Sequence, residues 1–250
     1  MHKFFVPIEN FNENEVVILG DDVKHIYKVL RLSEGHTVSI NNCNGKEYLG
    51  EIKEISKKEV RVSIIDELES SFESPIEVYL FQGLPKSTKM DLIVQKNTEL
   101  GVKEITPIIT GRVVVKAELK EFKKVERWNR IALEASKQCK RSIVPKIGDP
   151  IEIKELISSL KDYDLVIVPY ENEENHGFKY VMSKIDKSTI KKVAIIIGPE
   201  GGFEEDEINS LKEMGSYIVT LGPRILRTET AGFTAVSLVS YELGDLGGIV

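Results

Sequence analysis

The run Val193-Ala194-Ile195-Ile196-Ile197 has no polar residue at alternate positions, so a strand built from it must be covered on both faces. That is the condition of a strand inside a parallel sheet with helices above and below it. A glycine-anchored loop, Gly198-Pro199-Glu200-Gly201-Gly202, follows directly. A second loop, Leu221-Gly222-Pro223-Arg224-Ile225-Leu226-Arg227-Thr228-Glu229-Thr230-Ala231, follows the strand candidate Tyr217 to Thr220. Glycine lets the backbone approach a ligand and proline stiffens the turn. Each loop leads from a buried strand end into a helix, and open α/β sheets bind their ligands at that edge. The two loops are therefore expected to share one pocket.

Strand and helix alternate from Ile76 onward. Strands are predicted at Glu77–Gly83, Glu104–Ile109, Leu165–Pro169, Val193–Gly198 and Tyr217–Leu221. Helices are predicted at Thr88–Leu100, Glu118–Lys140, Ile153–Leu160, Phe178–Lys184, Glu205–Met214 and Thr230–Leu243. The segment before residue 70 reads differently. Val60, Val62 and Ile64 alternate with Arg61 and Ser63, the period of a half-buried strand. Strands are predicted at Phe4–Ile8, Val16–Leu19, Thr37–Asn41, Tyr48–Ile55 and Val60–Ile65, with a helix over Asp22–Leu32. Asn44-Gly45 is a hairpin-turn signal. Five short strands and one helix predict a small closed barrel, a shape often used on RNA. The turn-rich segment Glu69 to Pro75 reads as a linker, dividing the chain into 1–72 and 73–250.

The net charge of −6 argues mildly against nucleic acid, but its distribution argues the other way. Residues 82–146 hold 15 Lys/Arg and 7 Asp/Glu, whereas residues 1–72 and 147–250 are each net acidic. Local field rather than net charge attracts a polyanion, so this basic block is either a phosphate-facing surface or a solvated helical face. The N-terminus has no apolar stretch long enough for a signal peptide, and no run approaches a membrane span. Cys43 and Cys139, the only cysteines, are too few for a metal cluster or disulfide scaffold and are expected as free thiols in the cytoplasm. No metal is expected.

Neither loop has the spacing of a phosphate-binding or dinucleotide-binding motif. The helix after the first loop opens with Glu204-Glu205-Asp206-Glu207, which suits the positive end of a helix dipole but repels a phosphate there. A cationic or zwitterionic ligand carrying adenine and ribose fits better. In the second loop, charged and hydroxyl side chains stand beside Ile225 and Leu226, a mixture that marks a site rather than a solvated turn. The histidines His2, His25, His36 and His176 are scattered and read as surface or packing residues.

The segments IIIGPEGGFEEDEI and VTLGPRILRTETA resemble the paired signature of the RsmE-type ribosomal RNA methyltransferases, within the SPOUT superfamily. His25–Arg31, Gln95–Val102 and Arg127–Pro145 resemble further stretches of that family, so the likeness spans nearly the whole chain. The resemblance implies an N-terminal PUA-like β-barrel and a C-terminal α/β domain with a parallel sheet and a deep trefoil knot. It implies S-adenosylmethionine bound in a bent shape, and a homodimer packed knot against knot in which each site borrows groups from its partner. The implied reaction methylates N3 of one uridine of 16S ribosomal RNA in the 30S subunit. Another base, a ribose 2′-hydroxyl, or non-catalytic RNA binding during ribosome assembly are the alternatives. By the same resemblance Ile197, Gly198, Gly202, Leu221, Gly222, Ile225 and Leu226 surround the cofactor. Arg227 is the candidate for the methyl-donor end or the target base, where a cation stabilises the uridine anion. Glu229 is the nearest carboxylate, with a base and a loop-holding role both open. Arg31, Arg112 and Arg141 match basic positions expected on RNA, and Lys86, Lys89, Lys96, Lys116, Arg130, Lys137 and Lys140 extend that face. Lys3 stands where the family often has arginine, which keeps the charge and loses the planar fork.

Overall fold

The computed structural model describes residues 1–69, 73–86, 88–113 and 119–248, with residues 119–123 described by their backbone alone. Ser70, Ser71 and Phe72 of the expected linker, Lys116 of the basic block and the predicted helix start at Glu118 lie outside the described residues. The chain divides into two compact units. The first comprises residues 1–73 together with 140–144, and the second takes the rest.

In the first unit, β1 (Lys3–Phe5), β2 (Phe11–Asn12), β3 (Glu15–Leu19), β4 (Thr37–Asn41), β5 (Glu47–Ile55) and β6 (Glu59–Leu68) form one sheet in the order β1-β4-β5-β6-β3-β2. Only the β1–β4 pair is parallel. The first strand stops at Phe5 rather than Ile8, because Pro7 has no N–H to continue a ladder and Ile8–Asn10 turns into a short 3₁₀ helix. β2 is an addition to the five expected strands. No strand pairing joins β1 to β2 among the described residues, so no closing ladder completes the expected barrel. Phe4 from one end of the strip and Phe11 from the other nevertheless pack on the same core, with Val16, Ile40, Ile52 and Val62. The strip is therefore curled around that core. α1 (Asp21–Lys24) widens into a π-type turn over His25–Val29 and buries Val23 and Ile26. It ends before the predicted Leu32, where Arg31 turns the chain at φ 52°.

Residues 140–144 are held to this unit by an ion pair and by hydrogen bonds, among them Gly45 N–H to the Ser142 carbonyl and Val144 N–H to the Cys43 carbonyl. The Arg141 guanidinium, 4% exposed, donates to both oxygens of Glu73, and the backbone N–H groups of Ser142 and Ile143 donate to Glu73 Oε1 at 2.8 and 2.9 Å. Asn41 Nδ2 donates to the Ser142 carbonyl at 3.1 Å. Arg141 therefore cannot serve as the RNA contact that the sequence reading expected. Its donors are turned inward on a carboxylate, and exposing them would strand Glu73.

In the second unit, β7 (Glu77–Gly83), β8 (Glu104–Ile109), β9 (Lys146–Ile147), β10 (Ile151–Glu152), β11 (Leu165–Pro169), β12 (Lys192–Ile197) and β13 (Tyr217–Val219) form an all-parallel sheet. Its order is β10-β8-β7-β12-β11-β13, with β9 beside β8. The helices are α2 (Lys89–Glu99), α3 (Leu119–Cys139), α4 (Ile153–Ser159), α5 (Phe178–Met182), α6 (Glu205–Glu213) and α7 (Thr228–Leu243). The pleat sends Ala194 and Ile196 into a core with Leu156 of α4 and Ile208 and Leu211 of α6. The alternate residues Val193, Ile195 and Ile197 are also buried, on the face that α7 covers. This is the two-sided burial that the unbroken apolar run requires. α7 begins at Thr228, two residues earlier than predicted, with Arg227 in extended backbone at its N-cap.

Replacing Arg141 by Leu removes the cation and leaves Glu73 with its two backbone donors. The expected loss is about 3 kcal/mol, the low end for breaking a buried ion pair, read as a lower urea midpoint.

Candidate functional site

The carboxyl ends of β7, β12, β11 and β13 lie on one edge of the sheet, where Ile197 is level with Gln82 and Pro169 with Val219. A cavity of about 900 Å³ opens there. One wall is the first glycine loop, with Ile197, Gly198, Pro199, Glu200, Gly202 and Phe203. The opposite wall is the second loop, from Thr220 to Thr228. β11 lies between β12 and β13, so its own loop, Tyr170 to Glu174, forms a third wall that the sequence reading missed. The apolar strand ending at Pro169 was visible in sequence, but the loop after it has its glycine, Gly177, at the start of α5 and none beside the strand end.

All seven residues expected around a cofactor line this cavity, as does Arg227. Two glycines make the close approaches possible. At Gly83, the end of β7, a Cβ would collide with the backbone of Gly198 and Pro199. At Gly202, φ is +70° and a Cβ would run into Glu171 Oε1.

The loops are joined by one hydroxyl. Thr228 Oγ1 donates to the Gly198 carbonyl at 2.6 Å and accepts from Gln82 Nε2 at 2.8 Å. Gln82 is fully buried and Thr228 is 6% exposed. The start of α7 is thus tied both to the first loop and to the middle of the sheet. Arg112 braces the first loop from outside, donating to the Gly201 carbonyl at 3.2 Å and to Glu204 at 3.1 Å. Glu204 opens α6 as a capping box with Glu207 Oε2, which accepts the Glu204 N–H at 2.8 Å. The acidic helix start is therefore occupied by its own cap and by Arg112.

Lys89 stands in the cavity wall, 2.9 Å from Glu200 Oε1 and 3.5 Å from Glu229 Oε2. The contact with Glu229 is an ion pair only, since that buried oxygen has no hydrogen-bond partner. The hydrogen bond to Glu200 raises the Lys89 ammonium above its ordinary range. Burial pushes the Glu200 carboxyl up, but Lys89 and the N–H groups of Glu200 and Lys86 outweigh it and hold the group below its usual value. Glu173 is held low in the same way: burial opposes ionisation, and the N–H groups of Asn175 and His176 overcome it. These groups are all charged at neutral pH.

Lys86 and Arg31 are exposed. Lys3 is held by Glu47 at 2.5 Å and lies 5.5 Å above the Phe5 ring. Arg130 is exposed on α3, where a groove against α2 also includes Lys96 and Gln138. Among the described residues, no cluster of three or more His, Cys, Asp or Glu could hold a metal, and no helix is long and apolar enough to cross a membrane.

Residues 72–240 match the family model described as an RNA methyltransferase domain, and residues 18–65 match an RNA methyltransferase PUA domain. The chain is 36% identical to the ribosomal RNA small subunit methyltransferase E of Bacillus subtilis, covering 99% of both chains. A methyltransferase of Legionella pneumophila, solved with bound cofactor SAM, superposes with a TM-score of 0.82 at 33% identity over 98% of each chain. A ribosomal RNA small subunit methyltransferase E of Neisseria gonorrhoeae, solved with S-adenosylmethionine, gives 0.83 at 29% identity, over 98% of this chain and 99% of that one.

Thr228→Val keeps the shape of the side chain and removes the hydroxyl, so the Gly198 carbonyl loses this donor and Gln82 Nε2 keeps only the Gly83 carbonyl at 3.2 Å. A loss of about 1 kcal/mol or more is expected, the scale of one lost hydrogen bond with a half-buried carbonyl left short of a donor. Thr228→Ser should stay close to wild type. Thermal melts of the two variants check this.

Proposed function

Because the chain belongs to the ribosomal RNA small subunit methyltransferase E family, we propose that it transfers a methyl group from S-adenosylmethionine to N3 of a uridine in 16S ribosomal RNA of the 30S subunit. The observation that carries this reading is the single cavity walled by both glycine loops. Its size suits a nucleoside-sized ligand, and Ile197, Phe203, Leu221, Ile225 and Leu226 give it apolar walls for an adenine and a ribose.

The residues proposed to hold the donor are Ile197, Gly198 and Gly202 on one side and Leu221, Gly222, Ile225 and Leu226 on the other. When bound, the donor supplies a methyl carbon made electrophilic by its sulfonium. The protein must then hold the uracil edge in line, which is the largest lever on rate, on the order of 7–11 kcal/mol. The N3 proton must also pass to solvent, and the protein must stabilise the negative charge that its loss leaves on O2 and O4. Arg227 is proposed for this task. Its exposed side chain is on the cavity wall, with no hydrogen bond or ion pair among the described residues.

Residues 1–72 are proposed as an RNA-binding domain and 73–250 as the catalytic one. Lys3, Arg31, Lys86, Lys89 and Arg112 are proposed contacts to RNA. A trefoil knot is proposed for the second domain. It is supported by the path of the chain, which leaves the sheet edge at β13 and returns with α7 to the middle strands β7 and β12. A homodimer through that region is supported by the apolar character of α7 and by Leu92, 43% exposed on α2, which packs on α7. A cytoplasmic location is proposed, since the proposed substrate is the ribosomal subunit.

Labelled donor incubated with hypomethylated 30S subunits should leave its label in N3-methyluridine on nucleoside analysis. Label in a ribose-methylated nucleoside, or binding without turnover, would refute the reading. Arg227→Ala should cut turnover ~100-fold, as removal of one charge-stabilising donor does, while donor affinity stays near wild type. Unchanged turnover would remove Arg227 from the mechanism. Affinity for 30S particles should fall steeply with added salt, since phosphate contacts release counterions.

A further inference from the structure

The cavity wall carries four carboxylates, Glu171, Glu173, Glu174 and Glu200, and three cations, Lys89, Arg224 and Arg227. Sorting them by what each already holds leaves an asymmetry. Glu200 is occupied by Lys89 and by the Lys86 N–H. Glu173 Oε1 accepts the N–H groups of Asn175 and His176 at 2.8 and 3.0 Å. Lys89 is occupied by Glu200. Among the described residues, the Glu171 carboxylate has no hydrogen bond or ion pair. Arg112 feels its charge, but bonds to Glu204 and the Gly201 carbonyl instead.

The Glu174 carboxylate likewise has no hydrogen bond or ion pair among the described residues, and Glu171 differs from it in position. Its carboxylate occupies the space beside Gly202 that any other residue's Cβ would fill. The left-handed glycine of the first loop thus admits this carboxylate to the junction of the first and third walls. The second loop opposite carries Arg224 and Arg227, likewise without hydrogen bonds or ion pairs among the described residues. The cavity is therefore negative at one wall and positive at the other.

Resting on the reading above, we propose that Glu171 is a specificity-determining residue whose carboxylate receives a cationic group of the methyl donor, leaving the arginine wall to the anionic RNA. S-adenosylmethionine carries two positive groups, its sulfonium and its α-ammonium, and S-adenosylhomocysteine keeps only the ammonium. A carboxylate desolvated against a cation makes a charge-assisted contact, stronger than a neutral one.

Isothermal titration of the RNA-free protein with each compound tests this. Glu171→Gln should weaken S-adenosylmethionine about tenfold or more, the scale of one charged hydrogen bond. Glu171→Asp, which keeps the charge, should lose less. An equal loss for S-adenosylhomocysteine supports a contact to the ammonium, and an unaffected S-adenosylhomocysteine supports one to the sulfonium. Wild-type affinity for the donor in Glu171→Gln, or equal losses in the Gln and Asp variants, would overturn the proposal. Failure of the unaltered protein to bind the donor would instead overturn the functional reading on which it rests.

Discussion

A single hydroxyl, that of Thr228, joins parts of the chain far apart in sequence. It binds a carbonyl of the first loop and an amide rooted in a central strand, and it sits on the first residue of the last helix. A buried donor or acceptor without a partner is costly, so the three groups constrain one another. The cavity owes its shape to this junction. If the last helix began elsewhere, Gly198 and Gln82 would each lose a partner and the first loop would be free to shift.

The sheet order sets the rest of the site. With β11 between β12 and β13, the two glycine loops face each other across a third loop rather than standing side by side. That spacing makes a cavity instead of a flat edge. It also separates the charges: acidic residues come with the β11 loop and arginines with the loop after β13. Some wall charges are already paired, as Lys89 is with Glu200, and others, such as Arg227, stand without a hydrogen bond or ion pair among the described residues. Burial, not pairing alone, sets Arg141 apart from the other paired cations. A guanidinium clamped on Glu73 is structural, however basic its surroundings in sequence.

The sequence by itself determined the kind of sheet and the edge at which the cavity opens. Val193 to Ile197 has no polar face, so it had to be covered on both sides, and glycine loops after two such strands marked the binding edge. Helix ends were legible within a few residues because capping and apolar spacing are local. Only the tertiary structure decided which strands are neighbours, that β9 and β10 extend the sheet, and that α7 returns to its middle. Periodicity reports that a side chain is buried, not what it is buried against. Two-residue strands such as Lys146–Ile147 have no period to read. The fates of Arg141, Thr228 and Glu171 were closed to sequence for the same reason: whether a polar group is spent or available depends on partners brought close only by folding.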